Sequence, residues 1–176
     1  MATRNQGFTL YELLITLALA ALISGLAMPS LSALKARQQQ RAEIDALFHA
    51  IHLARKESIL KRKVVSLCPS QDGSSCLPGL DWSMGWLMFE NDDRDSPPQV
   101  DPGETVLASR RVQDFRIVAN RSGFTLRATF QRATNGTFVL CDPLERIPPL
   151  ALVVSYTGRP RVARHTTDGE LYSCAD

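Results

Sequence analysis

The stretch from Leu13 to Leu34 constrains this chain more than any other. It holds 22 residues without a formal charge, and about 20 apolar residues suffice to span the hydrocarbon core of a bilayer as a helix. A short polar leader with a single Arg4 precedes it, and Glu12 stands at its edge. A cleaved secretory signal has a shorter apolar core, roughly 7 to 15 residues, ending in a small-x-small site. Ala18-Leu19-Ala20 imitates such a site, but the apolar run continues past it. The segment therefore reads as retained, and the 176-residue chain has room behind it for one globular domain of ordinary size.

The helix is expected to continue beyond the apolar run. Ile44, Leu47, Phe48, Ile51, Ala54 and Ser58 recur at helical spacing among charged neighbours, which predicts one stripe packed on a sheet. Pro29 has no amide to donate to the carbonyl of Gly25, so that turn is the expected soft point. Basic Lys61-Arg62-Lys63 suits a helix C-terminus. After it, short β-branched or aromatic runs alternate with turn residues: 64–68, 85–89, 104–108, 115–118, 124–130, 137–141 and 152–155. The fold class is α+β, a long N-terminal helix packed on an antiparallel β-domain. The divisions are a leader (1–7), an apolar segment (8–34), an amphipathic continuation (35–63) and a β-rich domain (64–176).

Cys68, Cys76, Cys141 and Cys174 all follow the apolar segment, and none forms a CxxC pair that would suggest a zinc ribbon. An even count beyond a membrane segment reads as two disulfides in an oxidising compartment. Of three connectivities, Cys68–Cys76 with Cys141–Cys174 is favoured, because the first closes a short loop rich in Pro, Gly and Ser and the second staples the tail. Lys35, Arg37 and Arg41 outnumber Arg4, so the positive-inside rule alone would put the domain in the cytoplasm. The cysteines argue for the opposite side.

Charge is segregated. From Cys68 to Thr105 there are eight acids against one Arg, whereas Arg110 to Arg132 holds six Arg against one Asp. No nucleophile elbow, P-loop, HExxH or dinucleotide fingerprint appears, so no catalytic residue, cofactor or metal is assigned. His49 and His52 share a helix face without an evident third ligand. The 91–95 cluster is rich in oxygen ligands, but Arg94 interrupts it and the glycine of an EF-hand loop is missing. Trp82 and Trp86 read as core.

The opening residues resemble the type IV prepilin signature: Gly7, then Phe8, Thr9, Leu10 and Glu12. The resemblance implies cleavage between Gly7 and Phe8 by a prepilin peptidase, N-methylation of Phe8, and pairing of Glu12 with a neighbouring pilin's N-terminal amine during assembly. It also settles the topology for a single-pass inner-membrane anchor with a periplasmic domain, later displayed on the pilus. The domain is similar to the GspH/FimT branch of minor pilins and pseudopilins. That likeness rests on Leu67-Cys68-Pro69-Ser70, Gly85-Trp86-Leu87-Met88-Phe89, Thr137 to Pro143 and Leu152 to Ser155. Gly158-Arg159-Pro160-Arg161 resembles the GRxR motif of FimT proteins that bind DNA for natural transformation.

In an extended backbone Arg159 and Arg161 share a face with His165 in phase, and Arg164 falls on the other. Such a fork of guanidiniums suits phosphates along a strand, independent of sequence. Arg110 and Arg111 would enlarge the patch if the fold brings them near. The competing expectation is a structural minor pilin or type II secretion pseudopilin that primes or caps the filament, with no nucleic-acid partner.

Overall fold

The computed structural model describes residues 9–128 and 132–174, apart from the side chains at 25–29. Helix α1 (Leu10–Lys61) opens with a capping box. Thr9 Oγ1 accepts from Glu12 N at 3.3 Å while the Glu12 carboxylate accepts from Thr9 N at 3.4 Å, which satisfies two otherwise orphaned donors. The helix passes position 29 unbroken and stops at Lys61, where Arg62 turns left-handed with φ 56°. Nearly all described side chains before residue 36 are exposed, whereas those beyond it divide into a buried and a wet face. Among the described residues no helix is long and apolar enough to cross a membrane. The side chains at 25–29, inside the uncharged run, are not among them.

Eight strands follow: β1 (Val65–Pro69), β2 (Gly85–Glu90), β3 (Val106–Arg111), β4 (Arg116–Ala119), β5 (Phe124–Leu126), β6 (Gly136–Cys141), β7 (Leu150–Val154) and β8 (Pro160–Ala163). They form two four-stranded antiparallel sheets, ordered β3-β2-β1-β5 and β4-β6-β7-β8. Helix α1 meets β1 and β5 of the first and β7 and β8 of the second. Its stripe of Ile44, Leu47, Ile51 and Ala54 joins Val65, Leu67, Met88, Phe124, Phe138, Leu140 and Leu152 in one core. At about 1.5–3 kcal/mol for each large aliphatic or aromatic side chain buried, this cluster dominates the favourable side of folding. Trp82 and Trp86 are both buried, and Trp82 stacks edge-on against Phe138 at 4.9 Å.

Strands β1 and β2 are buried on both faces because alternate residues serve two clusters. Leu67, Trp86 and Met88 face the helix, while Cys68, Leu87 and Phe89 pack outward with Cys76 and Val100. The Cys68–Cys76 disulfide holds the covering loop over this second face. Asp72 anchors that loop by accepting from Ser74 N, Ser75 N and Ser75 Oγ, which holds its carboxyl well below the usual range. The second disulfide, Cys141–Cys174, ties the tail to the end of β6.

Several strand expectations shift: β7 begins at Leu150, two residues before the expected 152, and β8 adds an eighth strand to the seven expected runs. Strand β3 begins two residues later than its sequence suggests and runs to Arg111, because its pairing with β2 carries Trp86 opposite Arg110. Glu104 instead serves the preceding loop, accepting from Asp92 N and Asp101 N. Strand β5 is three residues long, and Thr129 and Phe130 lie outside the described residues.

The end of α1 is fastened by charge. Glu90, at the end of β2 and nearly buried, accepts from Lys61 Nζ at 2.7 Å and Lys63 Nζ at 2.6 Å. These bonds lower its carboxyl and raise both amines. A lowered folded-state value means stability present above the unfolded value of about 4.3 and lost as pH falls through the folded one. Thermal melting followed from pH 6 down to about pH 2 should therefore show an acid-side loss of stability that Glu90→Gln reduces.

Disulfide deletion should give an ordered pair of effects. Separating Cys141 from Cys174, 33 residues apart, should cost about 3–4 kcal/mol by loop-closure entropy. Separating Cys68 from Cys76, eight residues apart, should cost about 2.5 kcal/mol. Urea unfolding of the paired Cys→Ala variants reads the order directly.

Candidate nucleic-acid interface

Strand β8 is the outer edge of the second sheet. It pairs Pro160 with Val154, Arg161 with Val153 and Val162 with Leu152. Val154 and Leu152 belong to the core, so Pro160 and Val162 turn toward the helix while Arg161 lies on the opposite face. The exposure pattern agrees: Gly158 and Pro160 are buried, Arg159 and Arg161 exposed. An edge strand tolerates Pro160, whose nitrogen has no proton to give.

The turn that starts β8 is held tightly. Gly158 N donates to Ser155 O at 2.8 Å, Ser155 N to Arg159 O at 3.1 Å and Arg159 N to Ser155 Oγ at 3.2 Å. Gly158 has φ +69°, and a Cβ there would come within 2.8 Å of Leu126 Cδ1 and 3.0 Å of Arg55 Nη1. Glycine is thus required on both conformational and steric grounds. No hydrogen bond or ion pair among the described residues occupies the side chains of Arg159, Arg161 or Arg164.

The other predicted members are distributed differently. Arg164 lines a groove with Val162 and with Arg41 and Asp45 of α1, on the helix side of the sheet. Strict alternation ends at Ala163; His165 sits in a bridge with Leu171 at the start of the folded-back tail. Arg110 and Arg111 stand on β3, at the edge of the other sheet. Arg110 is engaged by Glu43 in a two-pronged ion pair, Nε to Oε2 and Nη2 to Oε1, each 3.0 Å. That contact raises the guanidinium further. Residues 41 and 43 are about 200° apart around a helix, so Arg110 and the β8 groove flank α1 on opposite sides. The expected enlargement of the patch through Arg110 and Arg111 does not occur.

Two other arginines meet the hairpin instead, and a third backs one of them. Arg55 of α1 reaches Gly158. Arg132 lies over the Tyr156 ring at 5.7 Å, and Ala133 N donates to Tyr156 O at 2.9 Å. Arg127 donates to Arg132 O. Arg132 and Arg127 belong to the basic run visible in the sequence, but nothing local links residue 55 to residue 158.

Elsewhere, Gly7 and Phe8 lie outside the described residues, and Glu12 caps its own helix. His49 and His52 are exposed and both lie against the Phe48 ring. Asp93, Asp95 and Asp101 bring ligand oxygens within 4.8 Å of one another. Desolvation and mutual repulsion raise the carboxyls of Asp95 and Asp101. Asp93 and Asp95 meanwhile accept from Asp95 N and Gln99 N, as turn-forming acids do.

Residues 43–158 match the family described as type II transport protein GspH. The chain belongs to that family. Residues 2–28 match the prokaryotic N-terminal methylation motif, and pilins of this kind are membrane-anchored before assembly. Two crystal structures of the type IV minor pilin FimU from Pseudomonas aeruginosa share the fold, with TM-scores of 0.50 and 0.52 at 18% identity. They align over 72% of this chain and over 91% and 90% of their own. No curated protein matches the chain. The GspH match stops at Gly158, so the arginine fork lies beyond it.

The ion pair of Arg110 defines a structural control. Arg110→Ala leaves the nearly buried Glu43 unpaired and should lower stability by about 1–3 kcal/mol, less than a fully buried pair because Arg110 is partly exposed. Chemical denaturation would measure it, and Glu43→Gln in the same background should recover part of the loss.

Proposed function

We propose that this GspH-family chain is a minor type IV pilin that captures extracellular DNA, without regard to sequence, for natural transformation. The observation that carries this reading is the pair Arg159, just before edge strand β8, and Arg161 on it, both exposed and engaged by no other group of the described protein. Alternate positions of extended backbone are about 6.5–7 Å apart, close to the spacing of successive phosphates. Arg164, with Arg41 beside it, adds positive charge around the rim.

In this reading the chain is cut between Gly7 and Phe8 by a prepilin peptidase and anchored in the bacterial inner membrane by α1. Its β-domain lies in the periplasm, where an oxidising environment maintains Cys68–Cys76 and Cys141–Cys174. Assembly with other major and minor pilins then buries the exposed apolar half of α1, with Glu12 meeting a neighbour's N-terminal amine. The chain performs no chemistry; capture is electrostatic, and other proteins supply the force of retraction.

A second reading has its own support. The GspH match and the FimU-like fold fit a subunit that primes or caps a filament without binding DNA. A gel shift of the detergent-solubilised full chain separates the two. Binding should weaken with salt at a log–log slope of about 0.9 per phosphate neutralised. Arg159→Gln with Arg161→Gln should remove about two of those contacts and lose most of the shift, whereas Arg110→Ala should retain it. Equal binding by wild type and the double variant, or no binding at low salt, would leave the structural reading in place.

A further inference from the structure

The tip of the β7–β8 hairpin presents an aromatic ring that the fold does not use. Tyr156 is 57% exposed, while the apolar positions beneath the turn are filled by Leu126 and Ala133. Its backbone is nevertheless fixed, since Tyr156 O accepts from Ala133 N and the turn closes on Ser155. Arg132 holds its guanidinium over the ring at 5.7 Å, within cation–π range. The Arg132 carbonyl in turn accepts from Arg127. On the same hairpin stand Arg159 and Arg161, and Arg55 abuts Gly158. A rigid exposed aromatic set among unpaired arginines is the arrangement that binds unstacked bases, the ring taking the base and the cations taking the flanking phosphates.

We propose that Tyr156 is a base-stacking platform, so that this patch takes single-stranded DNA in preference to duplex. The inference rests on the DNA-binding reading above and names its substrate form. In a duplex the base faces are occupied by their neighbours and only the edges reach the grooves, so Tyr156 adds nothing there. An unpaired base lies flat on the ring or on the Arg132 guanidinium, and ordering costs little because the hairpin already holds both. Stacking is indifferent to base identity, in keeping with capture that ignores sequence.

Fluorescence anisotropy of the detergent-solubilised full chain tests this, using labelled oligothymidine of about 12 nucleotides and a duplex of equal length. Wild type should bind the single strand more tightly. Tyr156→Leu should lose about tenfold on the single strand and less than about twofold on the duplex, and Tyr156→Phe should retain wild-type affinity. The salt slope should be unchanged in Tyr156→Leu, because no phosphate contact is removed. Equal loss on both forms, no loss on either, or absence of a single-strand preference in wild type would overturn the stacking role while leaving arginine-dependent capture intact. If wild type binds neither oligonucleotide at low salt, the DNA reading itself fails and this inference falls with it.

Discussion

The contact between the second half of α1 and both sheets is the interaction on which the rest of the structure depends. The two sheets meet directly at Phe124 and Phe138, whose rings stack at 4.3 Å, and the helix closes the core beside that contact. Ile44, Leu47, Ile51 and Ala54 form the seam where the inner faces of the two sheets meet. Polar groups are drawn into the same surface: Gln40 donates to the carbonyls of Leu140 and Pro148, and Glu43 holds Arg110. The helix thereby fixes the positions of both sheets, and with them the two edges on which the arginines lie.

That seam also explains why the basic residues are unequal. The nearly buried Glu43 on α1 demands a cation, because a buried carboxylate left unpaired is strongly destabilising. Arg110 meets that demand from β3. Arg159 and Arg161 lie at the edge of the other sheet, Arg161 on its outer face, and the positive-φ turn at Gly158 leads into them. The acidic loop between β2 and β3 covers the outer side of the other sheet, with Val100 in its cluster. The basic run is divided, with Arg110 and Arg111 on β3 beside that loop and Arg116 on β4 of the second sheet.

Much of this was legible beforehand in the residues that repeat. The stripe on α1 follows its helical spacing, and β6 and β7 follow their alternation of β-branched and aromatic residues. Boundaries were less legible where side chains have loop duties. Glu104 looks like the start of a strand but accepts two amide protons in the preceding loop. Asp101 joins Asp93 and Asp95 only through the turn that separates them. Arg110 and Arg159 look alike as exposed cations in sequence, and only long-range packing gives one of them a carboxylate.

By itself the sequence determined the local matters: an uncharged run with a prepilin-like entry, a helix that changes from apolar to amphipathic, an antiparallel β-domain, and a GRPR segment with alternate arginines on one face. These are set by periodicity, composition and short motifs, which are properties of neighbouring residues. Tertiary structure decided which cations are paired, that Arg55 and Arg132 gather at the same hairpin, and that Tyr156 stands exposed beneath Arg132. Those facts depend on contacts between residues up to about a hundred positions apart, and no local pattern encodes a partner at that distance.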